Sequence, residues 1–83
     1  MKTVYLDASR YMNAEDVHRS LKLLLDLPEY YGANADALYD CLSERREPVN
    51  LFIRHEAMGD AADALRKTAC VVEDLGGKVV RMP

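Results

Sequence analysis

The 83-residue chain is poor in the residues that mark several common functions. Its only cysteines, Cys41 and Cys70, lie far apart with no CxxC motif or nearby histidine, which excludes the usual zinc and redox motifs. No apolar run approaches the roughly 20 residues that span a bilayer. The N-terminal segment reaches Lys2 and Asp7 too soon for a signal peptide. We therefore expect a cytoplasmic protein with no membrane contact, metal or cofactor, whose cysteines are reduced and buried.

Basic charge is also scarce. The chain has 11 Lys and Arg against 14 Asp and Glu, so its formal net charge is −3. A protein that binds the phosphate backbone of a nucleic acid normally has a basic patch, and we expect no such binding here. An acidic protein suits a partner of opposite charge, because long-range attraction speeds association.

Length and patterning indicate a single small α/β domain over residues 1–83. Apolar residues make up 49% of the sequence and charged residues 30%, which is a globular composition. Segments rich in strand-forming residues are 3–7, 48–54 and 78–82. Apolar residues at helical spacing follow Asn13 and Asn34 and occupy the segment from about Asp60 to Leu75. The order β-α-α-β-α-β predicts a three-stranded parallel sheet flanked by helices.

Local signals predict where these elements begin and end. Asn13 is the expected N-cap of the first helix, with Asp16 completing a capping box. Pro28 is expected to end that helix, because the residue before a proline is driven out of the α region. Gly76 and Gly77 are expected to cap the third helix. The second strand is apolar enough to be buried on both faces. Residues 55–59 fit either a loop or a short helix.

The segment 27–42 has the most unusual composition. It lies within the stretch between Lys22 and Arg45, which contains no positive charge, and it holds three tyrosines and three carboxylates. These six residues are Glu29, Tyr30, Tyr31, Asp36, Tyr39 and Asp40. On the second helix Glu44 extends a row of carboxylates spaced four apart, which repel one another. A local conflict of this kind is typical of a functional surface.

This segment resembles the binding segment of the barstar family, intracellular inhibitors of the ribonuclease barnase. The shared pattern is Leu-Pro-Glu-Tyr-Tyr-Gly, then Asn, then Asp-Ala-Leu, an aromatic residue and Asp-Cys-Leu. The resemblance implies the same three-stranded parallel sheet flanked by helices. It also implies a protein with no enzyme activity and an antitoxin or immunity role. Such a protein is monomeric when free and plugs the active site of a small basic ribonuclease in a one-to-one complex.

The resemblance implies roles for individual residues. Asp40 matches the family's central carboxylate, which takes the place of the RNA phosphate, and Asp36 matches an acidic contact. Tyr30 and Tyr31 match two loop tyrosines, of which we expect one to bind and one to pack, while Tyr39 stands where the family has a tryptophan. The full predicted partner-binding set is Glu29, Tyr30, Tyr31, Gly32, Asn34, Asp36, Leu38, Tyr39, Asp40, Ser43 and Glu44.

Two departures from the family pattern keep a second hypothesis open. A further acidic contact of the family falls on Val71 here, with Glu73 and Asp74 nearby, and Arg45 and Arg46 place two positive charges close to the binding surface. The alternative is a non-inhibitory interaction module that binds another basic protein through the same acidic face.

An enzymatic site is not expected. His18 and His55 have no Ser, Cys or carboxylate at a catalytic spacing, so we predict that both are surface residues. Asp36 and Asp40 lie on one exposed helix, which offers no pocket for a pair of catalytic acids.

Overall fold

A computed structural model describes residues 2–82. In that range the elements are β1 (Lys2–Asp7), a 3-10 helix (Ala8–Arg10), α1 (Ala14–Leu24), α2 (Ala35–Ser43), β2 (Val49–Arg54), α3 (Gly59–Asp74) and β3 (Val79–Met82). The predicted order β-α-α-β-α-β is confirmed. Of residues 55–59, which the sequence left open, 55–58 form a loop and Gly59 begins α3.

The three strands form one parallel sheet in the order β1-β2-β3. In the register, Val4 lies opposite Leu51 and Leu51 lies opposite Val79. Both crossovers therefore move to the next strand in the same direction across the sheet. Because parallel crossovers are right-handed, they place the helices on the same face.

Only one face of this sheet is buried. Leu51 and Ile53 of β2 point into the core, whereas Phe52 between them is only half-buried. Its ring lies 5.3 Å from the ring of Tyr5, which is 68% exposed. The prediction that β2 is buried on both faces is therefore wrong, because no helix of residues 2–82 covers the second face.

α3 is the central helix of the core and packs against both α1 and α2. Seven of its side chains are buried: Ala61, Ala64, Leu65, Thr68, Ala69, Val71 and Val72. The Thr68 hydroxyl donates to the Ala64 carbonyl at 2.8 Å within the helix, so its burial leaves no unpaired polar group.

α1 begins at its predicted cap but ends earlier than predicted. Asn13 Oδ1 accepts from the Asp16 N–H at 2.9 Å. At the other end, the Leu27 N–H donates to the Lys22 carbonyl at 2.9 Å and Asp26 has φ of 51°. These features form a Schellman motif, with an aspartate in the left-handed position that glycine usually takes. This motif, and not Pro28, ends α1.

The predicted glycine cap of α3 is confirmed. Gly76 has φ of 90°, and the Gly77 N–H donates to the Val72 carbonyl at 2.9 Å. A Cβ on Gly77 would lie 1.9 Å from the Val49 carbonyl oxygen. Both glycines are thus required, the first for its backbone angle and the second for the close approach of α3 to β2.

Two predictions about side-chain burial are wrong. Cys41 is only half-buried. Cys70 is exposed, because it lies on the side of α3 that turns away from the core. His18 is buried, whereas His55 is exposed as predicted. The His55 ring nitrogen lies 3.0 Å from the Asp7 carboxylate.

Candidate functional site

The binding loop, residues 28–34, is shaped by its own hydrogen bonds. The Tyr31 N–H donates to the Pro28 carbonyl at 2.9 Å. Asn34 Oδ1 accepts from the Ala37 N–H at 2.8 Å, which makes Asn34 the N-cap of α2, and its side-chain amide donates to the Gly32 carbonyl at 3.3 Å. One asparagine side chain therefore orders both the loop and the start of the helix.

The two loop tyrosines point in different directions. Tyr30 is 84% exposed, whereas Tyr31 packs against the core. The expectation that one of them packs is confirmed for Tyr31. Tyr30 is left as the rigid aromatic surface of the loop.

Tyr31 also contacts a residue that the sequence analysis misplaced. Its hydroxyl oxygen lies 2.6 Å from Nδ1 of His18, which is only 5% exposed. Burial lowers the pKa of His18 and raises the pKa of Tyr31. Spacing was the signal for this burial, since His18 lies three and seven residues before the apolar Leu21 and Leu25.

The acidic face of the site consists of Asp36, Asp40 and Glu44. All three are exposed, and within residues 2–82 none of them forms an ion pair. Asp36 lies in the first turn of α2, where the helix dipole favours an anion, but Glu44 is its C-cap, where the dipole disfavours one. The last turn of α2 has no basic residue. The repulsion along this face is therefore not offset within the described chain.

Three further predicted residues lie on α2 or in the loop before it. Tyr39 is exposed in part beside Asp40. The Ser43 hydroxyl donates to the Asp40 carbonyl at 2.9 Å. The Glu29 carboxylate is fully exposed and lies 3.4 Å from Lys22 Nζ. Together with Tyr30, the acidic face and these residues present carboxylates and aromatic rings on one continuous part of the chain.

Leu38 does not belong to this surface. Its side chain has no exposed area, because it occupies the buried side of α2 together with Leu42. Gly32 is exposed, and a Cβ added there would lie 3.3 Å from Ala37 Cβ. The predicted set thus separates into exposed residues, the half-buried Tyr31 and one core residue, Leu38.

Comparison with known proteins identifies the family of the chain. Residues 1–79 match the family model described as "Barstar (barnase inhibitor)". The chain belongs to the barstar family. Its sequence is also 46% identical over 43 residues to "Putative ribonuclease inhibitor YrdF" of Bacillus subtilis (strain 168). That alignment covers 52% of this chain and 47% of the relative, so it spans about half of each protein.

Val71 is one place where the chain departs from the barstar family pattern. Its side chain is buried in the core, so this position offers no acidic contact. Glu73 and Asp74 are exposed at the end of α3. An acidic contact from the C-terminal end of α3, if the partner requires one, has to come from these two residues.

Arg45 and Arg46 differ in position. The Arg45 guanidinium is half-buried and donates to the Leu25 carbonyl at the end of α1. Arg46 is exposed. Of the two positive charges expected near the binding surface, one is therefore held by the fold, and only Arg46 is open to a partner.

The described part of the chain has neither a membrane-spanning helix nor a metal-binding cluster. No helix there is long and apolar enough to cross a membrane. No group of three His, Cys, Asp or Glu side chains in residues 2–82 is arranged to hold a metal ion.

Proposed function

We propose that this protein inhibits a barnase-like ribonuclease by covering its active site with the binding loop and the acidic face. The observation that supports this most strongly is the row of exposed, unpaired carboxylates on α2 beside Tyr30, in a chain whose family is described as a barnase inhibitor. The complex is one-to-one, forms in the cytoplasm, and uses a protein that is monomeric when free and has no catalytic activity of its own.

In this proposal Asp40 imitates the anion of the substrate. A ribonuclease binds the RNA phosphate with converging cationic side chains. A carboxylate in their place accepts charge-assisted hydrogen bonds from several donors, including a bidentate arginine. Asp40 lies in the middle of the acidic face, one turn from Asp36 and one turn from Glu44, so its neighbours extend the same negative potential.

The other exposed residues have different roles. Tyr30 and Tyr39 supply rigid contact area with few torsions to immobilise. Glu29, Asp36 and Glu44 attract a basic partner at long range and raise the association rate more than the affinity. The carboxylates of the acidic face repel one another less when the basic pocket of the ribonuclease neutralises their charge.

A titration of ribonuclease activity tests this function. The protein is added to a barnase-like ribonuclease, and the rate of RNA cleavage is followed. We expect cleavage to fall to background at one equivalent. Binding detected by calorimetry without any loss of cleavage would contradict the proposal.

The same outcome would favour a second function, a non-inhibitory module that binds another basic protein. The buried Val71 favours it, because one acidic contact of the family is absent at that position.

A further inference from the structure

His18 makes a contact between elements that no other buried polar group makes. Among residues 2–82 the buried polar side chains are His18 and Thr68, and Thr68 bonds only within its own helix. His18 instead reaches from α1 to the Tyr31 hydroxyl in the binding loop, with 2.6 Å between the two atoms. The rings are also in contact, with centroids 5.9 Å apart.

The second side-chain link between α1 and this loop is weak. Lys22 Nζ lies 3.4 Å from the Glu29 carboxylate, which is fully exposed. An ion pair so open to solvent contributes little. Of these two side-chain links between α1 and the loop, the contact between His18 and Tyr31 is therefore the stronger.

We propose that neutral His18 is a positioning residue: it holds Tyr31, and with it the binding loop, in the conformation that presents Tyr30 to the ribonuclease. This inference rests on the proposed function in its last step only. Tyr30 directly precedes Tyr31 in the chain, so any displacement of Tyr31 also moves Tyr30. Acidification that protonates His18 therefore releases the loop and weakens binding.

The chemistry of the contact explains the dependence on protonation. In the neutral tautomer with its proton on Nε2, Nδ1 accepts the Tyr31 hydroxyl proton. In the imidazolium both ring nitrogens are donors, so the Tyr31 hydroxyl can no longer donate to Nδ1, and the bond persists only in the reverse direction, with the hydroxyl oxygen accepting from Nδ1–H. The imidazolium also loses most of its hydration in a site that is almost closed to water, which disfavours the charged form as long as the loop is in place.

No neighbouring group offsets that cost. Within the described chain no carboxylate lies within ion-pair distance of His18. The groove beside it is lined from α3 by Asp60, Asp63 and Lys67. Asp63 is engaged by Arg66 at 2.6 Å and by Lys67 at 3.1 Å, and the Asp60 carboxylate accepts from the Ala14 N–H at 3.4 Å.

The remaining titratable groups near the contact are on α2 and on α1 itself. Burial raises the pKa of the Tyr31 hydroxyl, and Cys41 of α2 raises it further. On α1, Glu15 and Asp16 pair with Arg19, and Lys22 pairs with Glu29. These groups are therefore engaged elsewhere and do not stabilise a charged His18.

The first part of the test uses the free protein. Hydrogen exchange of the Tyr31 amide is compared by NMR at neutral pH in the wild type, Tyr31→Phe, His18→Ala and His18→Asn. The asparagine oxygen is as many bonds from the backbone as Nδ1 and accepts a hydroxyl proton, but it does not titrate. We expect Tyr31→Phe and His18→Ala to exchange roughly fivefold faster, the ratio that one hydrogen bond contributes, and His18→Asn to restore slow exchange. Equal exchange in all four proteins would overturn the proposal.

The second part measures pH dependence. The pKa of His18 in the free wild type is read from its imidazole chemical shifts. Dissociation constants for a barnase-like ribonuclease are then measured across that pKa for the wild type and His18→Asn, because their ratio cancels the titration of the ribonuclease itself. We expect the dissociation constant of the wild type, divided by that of His18→Asn, to rise as the pH falls below the pKa. The rise should approach about tenfold for each pH unit. A ratio that stays constant with pH would overturn the proposal.

These two parts separate failure of this inference from failure of the proposed function. If even the wild type does not bind the ribonuclease, the proposed function is wrong, and the exchange comparison still supports or overturns the positioning role. If binding occurs with no difference between the wild type and His18→Asn in exchange or pH profile, the positioning role is wrong and the proposed function stands.

Discussion

Arg45 donates a hydrogen bond to the carbonyl of Leu25, 20 residues earlier in the chain. This contact joins the end of α2 to the C-cap of α1, where helical carbonyls lack partners within the helix. A cation at that end also interacts favourably with the helix dipole. Arg45 is therefore part of the framework that holds the two helices bearing the site.

Replacing Arg45 should reduce stability more than binding. We expect Arg45→Ala to lower the free energy of unfolding by about 1.5–3 kcal/mol, the range for a hydrogen bond to a charged group. The exposed Arg46→Ala should change it by less than about 0.5 kcal/mol. Urea denaturation of the two variants checks this. Equal stability of both would show that the Leu25 contact contributes nothing.

Leu38 provides a test of the corrected site. Because its side chain is fully buried, Leu38→Ala should cost about 2–5 kcal/mol of stability, as other buried Leu→Ala changes do. The matched control is Leu23→Ala on the exposed side of α1, which should be nearly neutral. Urea denaturation measures both. If Leu38→Ala lost affinity for the ribonuclease but kept its stability, Leu38 would have to contact the ribonuclease directly.

Gly77 tests the packing of α3 on the sheet. A Cβ there would lie 1.9 Å from the Val49 carbonyl oxygen, so Gly77→Ala should cost at least about 2 kcal/mol through forced displacement of the backbone. Gly59→Ala is the control, since it has φ of 60° but nothing within 4 Å of the added Cβ. It should cost about 1–2 kcal/mol for the left-handed backbone alone. Thermal unfolding should give Gly77→Ala a lower melting temperature than Gly59→Ala. The reverse ranking would contradict this account of the contact.

The stability of the free protein should fall on mild acidification. Burial lowers the pKa of His18 from its ordinary 6.5, so the folded state binds fewer protons than the unfolded state below that pH. The contribution of neutral His18 is therefore complete above about pH 6.5 and is lost as the pH falls. His18→Asn should flatten this part of a plot of unfolding free energy against pH. An unchanged slope in the variant would assign the pH dependence to another group.

Asp7 should make stability depend on pH in a second, more acidic range. The Ser9 hydroxyl at 2.6 Å, and then the His55 ring, lower its pKa from 3.8 to about 2. A carboxylate with a lowered pKa stabilises the fold above its unfolded value, and the effect is lost as the pH falls from 3.8 towards 2. Asp7→Asn should reduce the slope in that range, as followed by circular dichroism, and should leave the slope near pH 6 in place.

Much of the fold could be predicted because its signals are local. Asn13 and Gly76 specify helix ends through bonds to residues within one turn, and the strands follow runs of apolar and β-branched residues. The end of α1 could not be predicted in the same way. Asp26 occupies a left-handed position without being glycine, and Pro28 two residues later gave a more obvious but incorrect signal.

The features missed in the site and core depend on contacts distant in sequence. Leu25 receives the Arg45 side chain only because α1 and α2 end close together. His18 lies on the apolar side of α1, but its hydrogen bond to Tyr31 depends on the binding loop folding against it. Phe52 is half-exposed because both crossovers pass on the other side of the sheet, which the composition of β2 does not encode. By contrast, the exposed residues of α2 were found from their spacing and from the family resemblance.

The most direct test of the proposed function is the affinity of Asp40→Ala for a barnase-like ribonuclease, measured by calorimetry beside Glu56→Ala. Both variants remove one exposed carboxylate and change the net charge equally, but Glu56 lies in the loop after β2, outside the site. We predict that Asp40→Ala weakens binding by about 3–5 kcal/mol, because it leaves cations of the ribonuclease buried without a partner, whereas Glu56→Ala binds as the wild type does. Equal, small losses of under about 1 kcal/mol in both variants would show that Asp40 acts only through net charge, and would contradict its role as a substitute for the RNA phosphate.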